Sequence, residues 1–373
     1  MSKSYYSLGL MSGTSMDGVD ASIIQSDGKS KYKAILDKYF EYPKDIFKDL
    51  TTLRDKIKSS KDLKRFEKQT KSIEKEITLF HAKAASKIIK KSKLNVDFIG
   101  FHGQTIFHNA EEQISRQIGD GKLLSKLTKK KVVYNFRQND LKNGGQGAPL
   151  TPIFHSILVK QKKIPLPVVI LNIGGITNYT FIDEKGVSSG LDLGPGNCLI
   201  DQWVRLNSKK KYDENGRIAK SGKIKKIILN KALKNFKKKK LIKSSFDVKD
   251  FDISFVRGLS LEDGAATLTE YTSEILYEYL IDPEGGTWES TLIAGGGRKN
   301  KFLIKSIEDK IKSLGTLNSP LKLIDDYGVD GDFVESQAFA YLAIRSYLNL
   351  PISFPETTGV REPCNGGTIV KNF

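Results

Sequence analysis

The chain has 373 residues, close to twice the usual length of a domain, so we expect two domains of about 180 residues each. Hydrophobic residues at 39% and charged residues at 28% are typical of a globular protein and exclude the disordered, collagenous and membrane-embedded classes. The 61 basic and 43 acidic residues give a net charge of +18, but 51 of the bases are lysines, whereas nucleic-acid recognition favours arginine.

The two cysteines, Cys198 and Cys364, are too few for a disulfide framework, and four histidines are too few for a multi-histidine metal centre. The first apolar segment turns into glycine-containing sequence before a signal peptide could form, and no run of about 18 apolar residues is present. We therefore expect a cytoplasmic protein that is neither secreted nor anchored in a membrane.

The first half of the chain begins with a predicted hairpin. Its strands are Tyr5–Leu10 and Val19–Gln25, and its turn carries small, hydroxylated and acidic residues. Apolar residues at spacings of three and four predict helix between Ile46 and Lys91, and Val96–Phe101 and Val132–Phe136 are predicted strands.

A proline early in an apolar run predicts that a helix begins at Pro152, and a polar, proline-containing stretch follows it. We place a domain boundary near residue 162, which predicts domains at 1–162 and 163–373. The second half repeats the order of strands, glycine turns and helices, which predicts a second mixed α/β domain. Its predicted elements are the strands Val168–Ile173, Tyr179–Ile182, Thr291–Ala294 and Leu321–Ile324 and the helices Leu261–Leu280 and Phe333–Leu348.

Three glycine-bearing turns each follow a predicted strand. They lie at Gly13–Ser15, Gly174–Thr177 and Gly295–Gly297. Glycine lets a backbone approach a phosphate closely and leaves amide hydrogens free to bind its oxygens. Each turn alone is also compatible with a plain tight turn, but three together favour a polyphosphate ligand. The P-loop and Rossmann motifs are absent from the sequence.

Acidic residues accompany two of these regions. Asp17 and Asp20 lie in or just after the first turn, where they could hold the water shell of Mg²⁺ or simply face solvent. Asp192 lies in Gly190–Asn197, beside Pro195, and a rigid aspartate near a phosphate site is suited to general-base catalysis. The alternative is that Asp192 braces a turn.

Polar residues at predicted strand ends are candidates for substrate contacts. His102, Gln104 and Thr105 could bind sugar hydroxyls, or the histidine could be a structural core residue. Arg137 suits a carboxylate-bearing ligand or an internal salt bridge. Glu335 is either a first-turn acid that complements the helix dipole or a substrate contact.

The densest basic cluster, Lys237–Lys240, ends a stretch with apolar residues at helical spacing. It is interpreted as the solvated face of a helix, with a nucleic-acid patch as the alternative.

Six motifs resemble those of the anhydro-N-acetylmuramic acid kinase family, and together they span the chain. The segments are Leu10–Asp20, His102–Thr105, Gly144–Leu150, Asn172–Ile176, Asp192–Asn197 and Gly295–Asn300.

The resemblance implies a two-domain, duplicated ribonuclease H-like α/β fold of the actin-like ATPase superfamily, with ATP in a cleft between the domains. It also implies a coupled reaction, in which water opens the internal ether of 1,6-anhydro-N-acetylmuramic acid and O6 takes the γ-phosphate of ATP, with Asp192 as general base. Mg²⁺ is expected at Asp17 and Asp20. The resemblance and the turns together assign the nucleotide to Gly13, Thr14, Ser15, Met16, Asp17, Gly18, Val19, Asp20, Gly174, Gly175, Thr177, Gly295, Gly296, Gly297 and Asn300. The substrate residues assigned are His102, Gln104, Thr105, Arg137, Asn197 and Glu335.

One motif departs from the family. Many members carry Lys-Ser-Thr-Gly-Arg-Glu where this chain has Lys243–Val248. Lys243 and Ser244 match the first two residues of that motif, and the residues after them differ from it. The expected partners are an amino sugar and ATP, with no nucleic acid and no membrane, and the alternatives of monomer and homodimer stay open. A kinase of another sugar and an ATP-dependent binding protein without enzymatic activity are the rival functions.

Overall fold

The computed structural model describes residues 3–240, 246–281, 288–313 and 321–373. Contacts divide the chain into two compact units. The first comprises Met1–Ile164, Ser188–Gly190 and Asp332–Phe373, and the second comprises Pro165–Val187 and Leu191–Gly331. The sequence predicted one division near residue 162 and placed everything after it in the second domain, whereas the contacts group the C-terminal residues with the first unit.

Two sheets and thirteen α-helices make up the described chain. The strands are β1 (Tyr5–Ser12), β2 (Gly18–Ser26), β3 (Tyr32–Glu41), β4 (Phe98–Asn109), β5 (Ile114–Ile118), β6 (Lys131–Tyr134), β7 (Val168–Ile173), β8 (Ile176–Ile182), β9 (Ser188–Pro195), β10 (Ser290–Ala294), β11 (Leu321–Leu323) and β12 (Thr368–Val370). The helices are α1 (Lys44–Lys56), α2 (Ser60–Arg65), α3 (Glu67–Ser92), α4 (Gly121–Thr128), α5 (Gln138–Lys142), α6 (Pro152–Lys162), α7 (Cys198–Asn207), α8 (Arg217–Ser221), α9 (Lys226–Lys240), α10 (Leu261–Ile281), α11 (Lys301–Ser313), α12 (Val334–Tyr347) and α13 (Pro355–Thr358).

The sheet of the first unit has the order β12-β6-β4-β1-β2-β3, and β5 pairs with β4 outside this path. Strand β2 is antiparallel to both β1 and β3, while β4 is parallel to β1 and β6 is parallel to β4. The first three strands of the unit therefore form a meander, and β4 and β6 are added in parallel on its other side.

The sheet of the second unit has the order β11-β10-β7-β8-β9. Strand β8 is antiparallel to β7, while β10 is parallel to β7 and β11 is parallel to β10. If β5, which lies off the main path, is left out of the count, both sheets place the third, second, first, fourth and fifth strands of their unit in the same order. This repeated topology confirms the duplicated, ribonuclease H-like α/β fold predicted from the sequence.

Helix α12 packs on β1, β2 and β4 of the first unit, which explains why the C-terminal residues belong there. Two glycines permit this close approach. A Cβ atom on Gly9 would collide with the carbonyl oxygen of Ser336, and one on Gly100 would collide with that of Phe339. The periodicity of α12 predicted a helix, but helical spacing does not specify the sheet on which a helix packs.

Most of the predicted elements are present in the structure. The apolar strand predicted at Val168–Ile173 is β7 with the same bounds, because every one of its side chains is buried and no polar alternation disturbs the pattern. The helix predicted to begin at Pro152 is α6, and the segment Ile46–Lys91 forms α1, α2 and α3. The strands β3 and β5 were not predicted, since both carry many partly exposed polar residues.

The lysine-rich segment lies on α9, as the helical spacing predicted. Its apolar face buries Leu229, Ala232 and Phe236, and the side chains of Lys237 and Lys238 are exposed. Lys237 forms an ion pair with Glu278 at 2.6 Å. This arrangement supports the interpretation of the cluster as a solvated helix face.

Candidate active site

The turn between β1 and β2 holds the first group of predicted nucleotide residues. Met16 adopts a left-handed backbone conformation with φ of 58°, and its buried side chain anchors the turn in the core. Thr14 and Ser15 are exposed, and no atom of the described chain lies within 4 Å of the position that a Cβ on Gly13 would take. The backbone of the turn is therefore accessible to a ligand.

Not all residues assigned to this turn can offer side chains. Met16 and Val19 are buried, so they can contribute only backbone groups. A Cβ on Gly18 would lie 2.5 Å from both the carbonyl oxygen of Phe40 and the hydroxyl of Tyr39, so only glycine fits there.

Two side chains from other elements bind the turn. The Nε2 of Gln104 on β4 donates to the carbonyl oxygen of Gly13 at 3.0 Å. The Nη1 of Arg54 on α1 donates to the carbonyl oxygen of Thr14 at 3.2 Å. Arg54 was not among the predicted site residues, because it lies 40 positions away and no local motif marks it.

The two predicted metal residues lie near one phenol. The pKa of Tyr39 is raised by burial and then by the negative charges of Asp17, Asp20 and Glu41. The Oδ1 of Asp17 also accepts a hydrogen bond from Ser15 Oγ at 2.5 Å. Within the described ranges, no group of three or more His, Cys, Asp or Glu side chains is placed to hold a metal ion. This arrangement fits Mg²⁺, which often keeps several waters and uses one or two carboxylates.

His102, Gln104 and Thr105 lie within β4 rather than at its end, so their predicted placement at a strand end is wrong. The strand continues to Asn109 because its second half pairs with β5. The side chain of His102 is buried, and its Nε2 lies 3.0 Å from Nη2 of Arg137, while its Nδ1 lies 2.8 Å from the carbonyl oxygen of Gly103. Because a guanidinium can only donate, Nε2 is the acceptor and the ring proton is on Nδ1.

Burial and the nearby charge of Arg137 lower the pKa of His102 to about 3, so the ring is neutral at ordinary pH. Arg137 also donates from Nη1 to the carbonyl oxygen of Gly147 at 2.7 Å. The guanidinium is therefore held on two sides, by the neutral histidine and by the glycine-rich segment after α5. This geometry is compatible with both roles predicted for Arg137, an internal bridge and the binding of a carboxylate-bearing ligand.

Gln104 and Thr105 have specific partners inside the first unit. Gln104 is only 1% exposed, and its Oε1 is buried with no hydrogen-bond partner among the described residues. The hydroxyl of Thr105 accepts from Nε2 of Gln117 at 3.2 Å. Glu335 lies in the first turn of α12, where the sequence predicted a helix-start acid, and its side chain is half-buried.

In the second unit, the predicted base lies on β9 near its C-terminal end. Asp192 is 8% exposed, and its Oδ2 accepts a hydrogen bond from the backbone N–H of Phe246 at 3.1 Å. The ring of Phe246 lies 5.9 Å from that of Phe236 and 5.4 Å from that of Phe251, measured between centroids. An aromatic cluster therefore fixes the backbone group that orients the carboxylate.

The turn between β7 and β8 is bonded to the segment that follows β9. The N–H of Asn197 donates to the carbonyl oxygen of Gly174, and that of Gly196 donates to the carbonyl oxygen of Gly175, both at 2.9 Å. Thr177 is fully buried, and its hydroxyl has no partner in the part of the chain that the structure describes. Two of the predicted groups, the glycine turn and Asn197, are thus brought together.

The third glycine turn is held by an arginine. Gly295 has φ of +78°, and a Cβ there would lie 2.6 Å from Oδ1 of Asn172. Arg298 binds Asp325 with two hydrogen bonds, from Nε at 2.7 Å and Nη2 at 3.0 Å, and its Nη1 donates to the carbonyl oxygen of Gly295 at 3.1 Å. Arg298 was not among the predicted site residues, although it directly follows the three glycines.

The same turn leads to the start of α11. The Oδ1 of Asn300 accepts from the N–H of Leu303 at 3.1 Å, so Asn300 caps this helix with its side chain. A cavity of about 780 Å³ begins next to it, and five cationic side chains contribute to its lining. These cationic residues are Arg217, Lys220, Lys301, Lys305 and Lys310.

Comparison with known proteins places the chain in a family. A sequence model described as anhydro-N-acetylmuramic acid kinase matches residues 5–372. The chain belongs to the anhydro-N-acetylmuramic acid kinase family. Among its relatives, a protein of that name from Pelagibacter ubique is 56% identical over 382 residues and is covered completely, as is this chain. Another from Zymomonas mobilis is 39% identical over 373 residues, which cover 97% of this chain and 98% of the relative.

The chain is therefore an enzyme, a kinase, and the resemblance read from its motifs is confirmed. A solved structure, component A of (R)-2-hydroxyglutaryl-CoA dehydratase from Acidaminococcus fermentans, is similar over 92% of this chain and 99% of its own. Its identity of 13% and TM-score of 0.43 add nothing to the fold, which rests on the strand order.

Two further observations concern the family's sequence pattern and the membrane. The residues Lys243 and Ser244 of the divergent segment lie outside the described residues, as does Ser245. None of the helices in the described part of the chain combines the length and the apolar character that crossing a membrane requires.

Proposed function

We propose that this kinase uses ATP to convert 1,6-anhydro-N-acetylmuramic acid to N-acetylmuramic acid 6-phosphate and ADP. The reaction opens the internal ether and phosphorylates O6, and it serves the recycling of peptidoglycan in the cytoplasm. The observation that supports this proposal most strongly is the 56% identity, over the full length, to a relative named for this kinase.

The nucleotide is bound mainly by backbone groups in this proposal. In the first unit, the segment Gly13–Asp20 contacts the phosphates, and the amides of Thr14 and Ser15 and the hydroxyl of Thr14 donate to phosphate oxygens. In the second unit, the turns that contain Gly174, Gly175 and Thr177 and Gly295–Gly297 donate in the same way. The open space beside Gly13 and Gly296 supports this assignment, because neither has a neighbour within 4 Å of its Cβ position. The 780 Å³ cavity beside Asn300 is large enough for the nucleoside end of ATP.

Asp17 and Asp20 hold Mg²⁺ in this proposal, directly or through its water shell. Bound at the phosphates, the ion would neutralise charge on the group being transferred. Both carboxylates lie near the phenol of Tyr39, whose pKa their negative charges raise. The rest of the charge compensation comes from the chain's own amides and cations.

The chemical step begins at Asp192. Its carboxylate takes a proton from a water molecule, and the water oxygen forms a bond to the anomeric carbon C1. The bond between C1 and O6 breaks, and O6 keeps the electron pair. O6 then bonds to the γ-phosphorus of ATP, while the bond from that phosphorus to the bridging oxygen breaks and releases ADP. The hydrogen bond from the N–H of Phe246 leaves the orientation of the carboxylate fixed during proton transfer.

Several polar side chains are assigned to the sugar in this proposal. Arg137 binds the carboxylate of the sugar's lactyl group, because a guanidinium forms paired hydrogen bonds with a carboxylate. The oxygen of Gln104 accepts from a ligand hydroxyl, since its nitrogen is engaged on Gly13. The remaining sugar contacts are assigned to His102, Thr105, Asn197 and Glu335.

Two rival functions predict different results in one assay. The purified chain is incubated with ATP, Mg²⁺ and, in turn, the anhydro sugar, N-acetylmuramic acid and glucose, and ADP release is measured. Our proposal predicts sugar-stimulated ADP release with the anhydro sugar above all. A stronger response to glucose would favour a kinase of another sugar, and sugar-independent ATP binding without turnover would favour a binding protein.

The role of Asp192 is tested by Asp192→Asn. The amide keeps the shape and can still accept the hydrogen bond from Phe246, but it cannot accept the proton, so kcat should fall by about 100-fold or more. ATP binding should be unchanged. Asp183→Asn, in the β8–β9 turn of the same unit, is the matched control and should retain normal turnover. Near-normal turnover of Asp192→Asn would remove this residue from the mechanism.

A further inference from the structure

Two consecutive peptide groups of the β1–β2 turn are each held through their carbonyl oxygens by a side chain from another element. Gln104 donates to Gly13 at 3.0 Å, and Arg54 donates to Thr14 at 3.2 Å. These two donors come from β4 and α1, on different parts of the first unit. The turn is therefore held from outside and does not depend on its own sequence alone for its shape.

Fixing a carbonyl also fixes the next amide. In a trans peptide the C=O and N–H bonds are coplanar and point in opposite directions. The bond from Gln104 therefore sets the direction of the N–H of Thr14, and the bond from Arg54 sets that of Ser15. Neither of these two N–H groups has a hydrogen-bond partner among the residues that the structure describes. Both face away from the side chains that hold the turn.

Arg54 is itself held in place by its helix. It lies in the last turn of α1, where a cation also complements the helix dipole. Its neighbours Leu53 and Ile57 are fully buried, so the end of α1 is fixed against the core. The Arg54 side chain is 18% exposed, and its Nε lies 3.5 Å from Oδ1 of Asp55, which is 73% exposed.

We propose that Arg54 is a positioning residue for phosphate binding, which together with Gln104 orients the amides of Thr14 and Ser15 toward the phosphates of ATP. This inference rests on the proposed function, because it assumes that the turn binds ATP. Preorganised amide donors bind an anion more strongly, since no rearrangement is needed when it arrives. Losing the bond from Arg54 leaves the Thr14–Ser15 peptide free to rotate.

The test uses Arg54→Met, which keeps the apolar stem and removes every donor, and Arg54→Lys, which keeps a cationic donor. We expect Arg54→Met to raise the KM for ATP and the Kd for ADP by about fivefold to tenfold, the usual effect of losing one such bond. Arg54→Lys should restore most of the affinity. The KM for the sugar and the inhibition constant of adenosine, which has no phosphate, should not change.

Asp55→Asn is the matched control, because it removes the ion pair of Arg54 without touching the bond to Thr14. It should behave as the parent enzyme in all four measurements. Parental ATP and ADP affinities in Arg54→Met would overturn the inference, as would equal weakening of ADP and adenosine, which indicates general damage. If the parent enzyme turned over no sugar, the proposed function would fail, yet the ADP measurements on Arg54→Met would still decide the inference.

Discussion

Lowering the pH should destabilise this protein through three buried histidines, well before its carboxylates are protonated. His81, His102 and His155 are all buried, and burial lowers their pKa values from 6.5 to about 4, 3 and 4 respectively. For His102 the charge of Arg137 lowers the pKa further. In the folded protein all three rings therefore remain neutral at mildly acidic pH.

The structure explains why these rings resist protonation. The Nδ1 of His81 lies 2.7 Å from the carbonyl oxygen of Ile77 and donates to it, while its Nε2 is buried with no partner among the described residues. A second proton there would be buried without an acceptor. At His102 a proton on Nε2 would face the donor Nη2 of Arg137 and break their hydrogen bond.

The magnitude follows from proton linkage. Between the ordinary pKa of 6.5 and the lowered folded values, the unfolded chain binds more protons than the folded one, so stability falls as the pH falls. At about pH 5.5, protonation of each histidine stabilises the unfolded chain by RT ln(1 + 10), which is about 1.4 kcal/mol. At about pH 7.5 this stabilisation is close to zero. Three such residues should lower the free energy of unfolding by about 4 kcal/mol across this range.

Urea unfolding monitored by far-ultraviolet circular dichroism at these two pH values measures the loss directly, because this signal reports on both units. His81→Gln is the informative variant, since an amide can donate to Ile77 but does not titrate. Between the two pH values, the free energy of unfolding of this variant should fall by about 1.4 kcal/mol less than that of the parent. A free energy of unfolding that does not change with pH, or an equal loss in the parent and His81→Gln, would refute the reasoning.

Two further predictions concern Arg298, which holds the third glycine turn, and Asp17, which we propose as a metal ligand. Arg298→Lys removes the two-bonded pair with Asp325, so we expect a loss of about 2 kcal/mol in the free energy of unfolding and a rise of about tenfold in the KM for ATP. If urea titration gave an unchanged free energy of unfolding and steady-state kinetics gave an unchanged KM for ATP, the role given to Arg298 would be contradicted. Asp17→Asn should raise the Mg²⁺ concentration that gives half-maximal turnover by about tenfold, at saturating ATP, because one anionic ligand is lost. An unchanged Mg²⁺ titration would exclude Asp17 as a ligand.

The elements with strong local patterns could be predicted from the sequence, and those with mixed patterns could not. The uniformly apolar β7 was predicted with its bounds, whereas β3 and β5 were missed because their polar residues give no clear alternation. Residues His102–Thr105 were expected at a strand end, because pairing with β5 is not visible from their own sequence.

The candidate site shows the same division. The glycine turns, Asp192 and Asp17 could be proposed as site residues from the sequence, because they lie in short contiguous motifs. The roles of Arg54 and Arg298 depend on partners 40 and 27 positions away, so only the fold reveals them. Likewise, the neutral state of His102 depends on its burial in the folded protein and on its contact with Arg137, 35 positions away, rather than on any local pattern.

The most direct test of the coupled reaction is the position of ¹⁸O in the product made in heavy-oxygen water. The product is reduced with borohydride immediately after quenching, so that the anomeric oxygen cannot exchange, and it is analysed by mass spectrometry with fragmentation. Unlabelled product placed in the same water and reduced in parallel measures exchange without the enzyme. We predict one ¹⁸O on C1 and none on O6 or the phosphate. A product without label on C1, or with label on O6 or in the phosphate, would contradict attack by water on the anomeric carbon.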